Sequence, residues 1–315
     1  MAREMAPAAA RSVRFSQKAA KDFRRNWALY LLVLPVIAYY VIFHYWPMYG
    51  VQIAFRDFSI SKGYLGSPWA GLKYFRMFLD STFAWRTTRN TILLSFYSML
   101  FGFPAPIIFA LLLNEIGNKF YKRTVQTLSY LPHFISLVVI CGMITQFCLN
   151  EGLFNQIIAF FGGEKTPLLQ YASNFRTIYI SSGIWQGLGW GSIIYIAAIS
   201  NVDQEQYEAA IIDGAGRFQR MLHVTLPGIQ PTIIILLIMD IGSLMSVGAE
   251  KVLLLYNPGT YETGDIISTY IYRMGLQRQD WSYGAAVGLM NSLINMILLV
   301  IANQLSKKVS ETSLW

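Results

Sequence analysis

The sequence predicts an all-α membrane protein. Its 315 residues are 54% hydrophobic and only 13% charged, its mean hydropathy is +0.40, and long stretches contain no Asp, Glu, Lys or Arg. Ordinary soluble domains carry about 25% charged residues. About twenty apolar residues cross the hydrocarbon core of a bilayer as a helix, because only a helix or a closed barrel satisfies its own backbone there. The chain is therefore expected to cross a membrane several times.

Six segments are long enough for a membrane span. Five are free of charged residues, and the fifth in chain order holds Asp240, Glu250 and Lys251. Together they are expected to form one transmembrane domain over residues 26–306, between a basic tail at residues 1–25 and a short tail at residues 307–315. The predicted spans cover about residues 26–46, 90–114, 124–149, 177–201, 232–256 and 282–304.

Lys and Arg side chains set the predicted orientation, because loops that stay in the cytoplasm carry an excess of them. Their densest cluster lies in residues 1–25, which lack the apolar core of a cleaved signal peptide. Both termini and the loop between the fourth and fifth spans, residues 203–231, are therefore expected in the cytoplasm. The same bias accounts for the net charge of +8, so no binding of nucleic acid is expected.

The motifs of catalytic and metal sites are missing from the sequence. Cys141 and Cys148 lie in one span, where two thiols make neither a zinc site nor a disulfide along a single helix. Residues 162–166 lack the glycine that a phosphate-binding loop has before its lysine. We therefore predict no enzyme activity, no metal site and no cofactor on this chain.

The 203–231 loop carries the most specific pattern. Asp203 is suited to begin a helix along which Tyr207, Ala210 and Ile211 fall on one apolar face. Gly214 is expected to end this helix, and a second helix follows. The loop therefore predicts a helical hairpin that fits a groove on a partner protein. An amphipathic helix resting on lipid headgroups is the alternative.

The spacing in this loop resembles the EAA loop of the membrane subunits of bacterial ATP-binding-cassette importers, with Val224 where that family usually has Ile. The matching residues are Glu208, Ala209, Ala210, Gly214, Leu226 and Pro227. The whole chain resembles the sugar permeases of these importers, and within them the oligo- and polysaccharide branch that includes alginate permeases. Residues 89–95 and 256–276 support this branch. The resemblance implies the type I importer permease fold, with six transmembrane helices and a cytoplasmic coupling helix.

The resemblance also implies a role for the loop and a set of partners. The loop would be the coupling helix, seated in a cleft of an ATPase subunit that binds ATP and Mg. The implied partners are a second permease subunit, two cytoplasmic ATPase subunits, an extracellular solute-binding protein and an oligo- or polysaccharide. The residues implied in ATPase coupling are Glu208, Ala209, Ala210, Asp213, Gly214, Leu226 and Pro227.

Polar side chains within the spans mark a candidate sugar pathway. At 100° per residue the fifth span places one polar stripe along a helix, formed by Asp240, Ser243, Ser246, Glu250 and Lys251. Ionisable groups at membrane depth usually face a cavity or a partner. The stripe is therefore expected to line either a hydrophilic pathway or the contact with a second permease subunit.

Aromatic and amide groups on two other spans suit a sugar, because aromatic faces cover sugar rings and amides bond to hydroxyls. They are Trp185, Gln186 and Trp190 on the fourth span and Asn291 and Asn295 on the sixth. For each of them, packing or hydrogen bonding between helices is the alternative.

Two other functions stay open. A secondary carrier or channel for a polar solute would work without ATP, and it predicts an inverted repeat or an ion site that the sequence does not display. A permease of the same importer class could also take a different solute.

Overall fold

The computed structural model describes residues 8–245 and 247–309, and this part of the chain is almost entirely helical. It divides into two compact units. The first holds the chain up to Pro68 apart from residues 54–57, and the second holds residues 54–57 and the chain from Trp69 onward. The all-α prediction is confirmed.

The first unit is dominated by one long helix, α1 (Ala8–Tyr40), followed by α2 (Trp46–Met48) and α3 (Gly63–Gly66). From Lys21 the helical segment is long and apolar enough to cross a membrane, and its most apolar stretch is 0% buried. Apolar side chains left open along a helix suit contact with lipid or with another membrane helix.

The second unit contains the other helices. Before the 203–231 loop these are α4 (Lys73–Leu79), α5 (Thr82–Gly102), α6 (Pro104–Asn114), α7 (Lys119–Tyr130), α8 (Leu137–Phe147), α9 (Leu153–Phe160) and α10 (Ala172–Ser200). From that loop onward they are α11 (Gln204–Ile212), α12 (Arg217–Arg220), α13 (Leu226–Gly228), α14 (Gln230–Gly242), α15 (Ala249–Leu255), α16 (Tyr261–Gly264), α17 (Ile267–Ile271) and α18 (Trp281–Val309).

Length and composition identify membrane spans only in part. Among the described residues three helical segments qualify alone: Lys21–Phe55, Thr82–Asn114 and Trp281–Leu305. Up to five qualify if two bent pairs are each counted as one span. α10 has 29 residues but is not in this set, because Gly, Ser, Trp and Tyr lower its hydropathy. A helical protein with several candidate spans is thus confirmed, and a count of six is a proposal.

The third predicted span bends sharply instead of running straight. α7 continues through a 3-10 turn that Pro132 helps to begin, and α8 then leaves at an angle of 99°. Ser136 caps α8, since its hydroxyl accepts a hydrogen bond from the Val139 N–H at 3.4 Å. A count of apolar residues does not detect this bend, because Pro and Ser interrupt a helix without adding charge.

The fifth predicted span is not one helix, because α14 ends at Gly242 and α15 begins at Ala249. A break at membrane depth frees backbone groups that need new partners. α18 supplies them, because the Met245 N–H donates to Asn295 Oδ1 at 2.8 Å and Asn291 Nδ2 donates to the Met245 carbonyl at 3.2 Å. The two amides expected to reach a sugar are therefore bonded to backbone in this structure.

Asn295→Leu is expected to lower the melting temperature, because Leu has a similar volume but cannot accept a bond from the Met245 N–H. A buried donor left without a partner costs about 1–3 kcal/mol. Thermal unfolding of the purified protein in detergent measures the change. Asn201→Leu, at an exposed position after α10, is the control and should leave the melting temperature almost unchanged. Equal melting temperatures of the two variants would show that the Met245 N–H finds another hydrogen-bond acceptor.

α10 is the central helix of the second unit and packs along α5 and α6. Its N-terminal half joins α8 and α15 in a hydrophobic cluster that also buries Cys141 and Cys148, both free thiols. Its C-terminal half joins α6 in a second cluster, and a third connects α4, α17 and α18. These clusters fix the positions of two features, a hairpin at the end of α10 and a polar cavity along it.

Candidate coupling hairpin and polar cavity

The 203–231 loop forms a helical hairpin. Asp203 caps α11 through its carboxylate, which accepts a bond from a backbone N–H two residues on at 3.0 Å. α11 ends two residues before Gly214, which has φ +78°. The Ala215 N–H donates to the Ala210 carbonyl at 2.8 Å and the Gly214 N–H to the Ile211 carbonyl at 3.0 Å. This is a Schellman motif, and glycine takes its left-handed position without strain.

The inner face of the hairpin is fixed to the bundle. Helical turns run from α12 through a π-helical segment to α13 and form the second arm. Tyr207 of the first arm and Thr225 of the second share a hydrogen bond between their hydroxyls at 2.9 Å. Tyr207, Val224 and Leu226 pack against the cluster formed by α6 and α10. The two arms are therefore held as one body on the end of α10.

The outer face of the hairpin is open. Every residue of α11 is at least partly exposed, and the exposed fractions of Ile211, Ile212 and Phe218 are 53%, 85% and 67%. The predicted apolar face is divided between two surroundings, because Tyr207 packs on the bundle whereas Ile211, in the last turn of α11, is exposed. Apolar side chains grouped on an exposed polar hairpin are typical of a surface that binds another protein.

The residues predicted for coupling occupy both arms. Glu208, Ala209 and Asp213 are exposed and Ala210 is partly buried. A Cβ placed on Gly214 meets open space. In the second arm, Leu226 is partly buried against the bundle and Pro227 is exposed.

A polar cavity lies along α10, between that helix, α5, α6 and α14. It consists of two adjoining spaces of about 470 and 520 Å³ that share Ser98, Tyr179 and Asp240 in their walls. Ser243 lines the first space and Gln186 lines the second. Lys251 also lines the second space. Four of the residues predicted for the pathway are therefore brought to one cavity: Gln186, Asp240, Ser243 and Lys251.

The other predicted pathway residues lie elsewhere. Trp185 borders a separate, mainly apolar cavity of about 470 Å³. Trp190 is exposed and stacks on His133, with ring centroids 4.3 Å apart. Glu250 is exposed, and Ser246 lies outside the described residues.

A buried charged network was not predicted. Asp265 is 0% exposed, and its two carboxylate oxygens each accept a bond from Arg273 at 2.7 Å. Arg86 donates to the same carboxylate at 3.1 Å, Asn90 donates to the Asp265 carbonyl at 3.1 Å, and Arg176 donates to Asn90 at 3.0 Å. The hydrogen bonds that Arg273 donates to Asp265 raise the pKa of Arg273. The network joins α5, α10 and the segment before α18.

The sequence carried only an indirect sign of this network. Arg86 and Asp265 are 179 residues apart, so no local spacing relates them. Asn90 and Asp265 do fall in residues 89–95 and 256–276, the two segments noted for their resemblance to sugar permeases.

Residues 102–311 match the family described as "Binding-protein-dependent transport system inner membrane component". The chain belongs to this family. This permease is 45% identical over 293 residues to Protein LplB of Bacillus subtilis, covering 93% of this chain and 92% of that protein. It is 44% identical over 289 residues to the polygalacturonan/rhamnogalacturonan transport system permease protein YteP of the same organism, covering 91% and 90%.

Two solved structures resemble the permease along most of its length. One is a bacterial ABC transporter involved in the import of the acidic polysaccharide alginate, with a chain of 41% identity, a TM-score of 0.87 and coverage of 93% of this chain and 99% of that chain. The other is a bacterial alginate ABC transporter in complex with an alginate pentasaccharide-bound periplasmic protein. Its chain has 41% sequence identity and a TM-score of 0.86, and the match covers 93% of this chain and 99% of that chain. The resemblance to sugar-importer permeases is confirmed.

Proposed function

We propose that this permease subunit moves oligosaccharides or polysaccharide fragments across the bacterial cell membrane, driven by ATP hydrolysis on separate subunits. The observation that carries the proposal is the match to the alginate importer, at 41% identity and a TM-score of 0.87 over 93% of the chain. The similarity to YteP, named for a polysaccharide transport system, supports the same class of substrate. In this proposal the chain itself is non-catalytic, and ATP and Mg bind only to the ATPase subunits.

The proposed topology has six spans, with α10 as the fourth and both termini in the cytoplasm. The transmembrane domain covers residues 26–306, between the tails at residues 1–25 and 307–315. Its partners are a second permease, two ATPase subunits and an external solute-binding protein. The basic residues of the N-terminal tail support this orientation.

The hairpin is proposed as the coupling helix. Its open outer face would enter a cleft of the ATPase, with Glu208 orienting α11 and the small Ala209 and Ala210 allowing close approach. When the two ATPase subunits close on ATP, the hairpin would move as one body, since Tyr207 and Thr225 join its arms at 2.9 Å. α13 leads directly into α14, so the movement would reach the cavity wall that carries Asp240.

The polar cavity is the proposed sugar pathway, with Gln186, Asp240 and Ser243 bonding to hydroxyls. The exposed side chains of Trp185, Trp190 and Glu250 are proposed for the face toward the second permease, since such a pathway lies between the two subunits. Asn291 and Asn295 would serve the pathway by holding the break between α14 and α15.

Co-purification tests the assembly. The tagged permease, expressed with its neighbouring gene products, is expected to retain a second permease and two ATPase subunits. A screen of oligosaccharides should then identify sugars that stimulate ATPase activity in nanodiscs only when the solute-binding protein is present. A complex without any ATPase would overturn the proposal in favour of a secondary carrier or channel.

A further inference from the structure

Lys251 is a buried positive charge in the segment after the break in the fifth span. Only 7% of the Lys251 residue is exposed. Its Nζ donates to the Tyr179 carbonyl of α10 at 2.9 Å and lies 4.8 Å from the centroid of the Tyr179 ring. Gly183, one turn further along α10, leaves room for the ammonium, because a Cβ there would lie 3.2 Å from Nζ. α10 is thus shaped around this group.

The ammonium has no carboxylate partner in the described part of the chain. None of the ion pairs formed there includes Lys251. Glu250, its neighbour in sequence, is exposed. A buried ion without a counter-ion costs several kcal/mol, and one carbonyl and one aromatic face offset only part of that cost. An ionisable residue at membrane depth therefore indicates a functional site.

Lys251 also borders the polar cavity, in the space of about 520 Å³. An ammonium has three donors, of which the Tyr179 carbonyl takes one. Ser98 lines the same space, and its hydroxyl oxygen is buried and has no hydrogen-bond partner among the described residues. Asp240 of α14 is the carboxylate that lines this space, and it is exposed and forms no ion pair with Lys251 in the described structure. The residues that line the cavity thus include an ammonium with donors left over, on Lys251, and a hydroxyl without a hydrogen-bond partner, on Ser98.

We propose that Lys251 binds a carboxylate of the transported sugar and that the substrates are oligosaccharides of uronic acids. This inference rests on the proposed function as a sugar permease. Each uronate ring carries one carboxylate, which would accept a charge-assisted bond, about twice as strong as a neutral one. A neutral sugar leaves the ammonium without a counter-ion. Lys251 would therefore select acidic over neutral chains within the pathway, and Ser98 would bond to a ring hydroxyl.

The test compares trigalacturonate with its fully methyl-esterified form, which has the same rings without the charges. Uptake is measured in proteoliposomes that hold the complete importer, with the solute-binding protein saturated by either sugar. In Lys251→Gln the ratio of uronate uptake to ester uptake is expected to fall roughly tenfold or more, because removing one member of a buried charge pair typically weakens binding by at least that factor. Lys251→Arg should recover much of the ratio. Lys73→Gln, at an exposed lysine, is the matched control and should keep the wild-type ratio.

The outcomes separate this inference from the proposed function. An equal fall in the uptake of both sugars would overturn it, because Lys251 would then only connect α15 to α10. The wild-type importer provides a second measurement if Lys251→Gln does not assemble, since equal uptake of acid and ester would also overturn the inference. Stimulation of the ATPase by neutral oligosaccharides alone would overturn the acidic substrate class and leave the sugar importer standing. Absence of any ATPase from the purified complex would overturn both.

Discussion

The Gly214→Asp variant is expected to reach the membrane and to transport less than about one-tenth as much sugar as the wild type. Gly214 has φ +78°, a left-handed conformation that costs most L-residues roughly 1–2 kcal/mol and Asp less than most. The added side chain would meet no atom of this chain and would project from the outer face of the hairpin. It would therefore prevent close approach of the ATPase. Uptake into proteoliposomes and sugar-stimulated ATP hydrolysis should be lost together.

Gly162→Asp is the matched control for this prediction. Gly162 follows α9, has φ +82° and also faces open space, so the backbone penalty is the same at a site away from the hairpin. It should transport at nearly the wild-type rate. Wild-type uptake by Gly214→Asp would contradict the coupling role, and equal losses in both variants would assign the effect to backbone strain.

The Asp265→Asn variant is expected to lose about 3–5 kcal/mol of stability, which is typical when one partner of a buried ion pair is removed. Asp265 is 0% exposed and receives bonds from Arg273 and Arg86. Asparagine keeps the volume but leaves two guanidinium groups close together without a negative charge. Thermal unfolding in detergent and the yield of folded protein should both fall clearly.

Asp57→Asn is the control, because it removes a carboxylate from an exposed ion pair. Asp57 accepts bonds from Lys73 and Tyr74 at 2.7 Å each, and these bonds lower the pKa of Asp57. The stability that this lowered pKa contributes is present at a pH above the pKa that Asp57 has in the unfolded chain. It is lost as the pH falls through the lower pKa that Asp57 has in the folded protein. Solvent screens this pair, so the melting temperature should barely change. Equal effects of both substitutions would show that the Asp265 network contributes little.

Local chemistry in the sequence was sufficient for the fold class and for the turn of the hairpin. A chain with so few charges has to satisfy its backbone internally in lipid, and helices do so. Gly214 lies where α11 ends because glycine takes a left-handed conformation at little cost. The different surroundings of Tyr207, which packs on the bundle, and Ile211, which is exposed, were not predictable, since they depend on how the hairpin meets α6 and α10.

Contacts between distant segments account for what the sequence did not reveal. The polar stripe assumed one continuous helix, but α14 ends at Gly242 and α15 begins only at Ala249. The angular spacing expected between Asp240 and Lys251 therefore does not apply. Asn291 and Asn295 resemble sugar ligands when taken alone, and only the unpredicted break explains why their amides bond to Met245. The partners of Asp265 could not be paired from sequence for the same reason.

The hydrogen bonds at Met245 divide the fifth span into two mechanical parts. α14 continues from the hairpin and is joined at its far end to α18 through Asn295. α15 is instead joined to α10 through the bond from Lys251 to the Tyr179 carbonyl. A displacement that enters at the hairpin would therefore reach α14 and α18 directly, and it would reach α15 only through α10. The break would act as a joint between the α14 wall of the cavity and α15, which carries the ammonium.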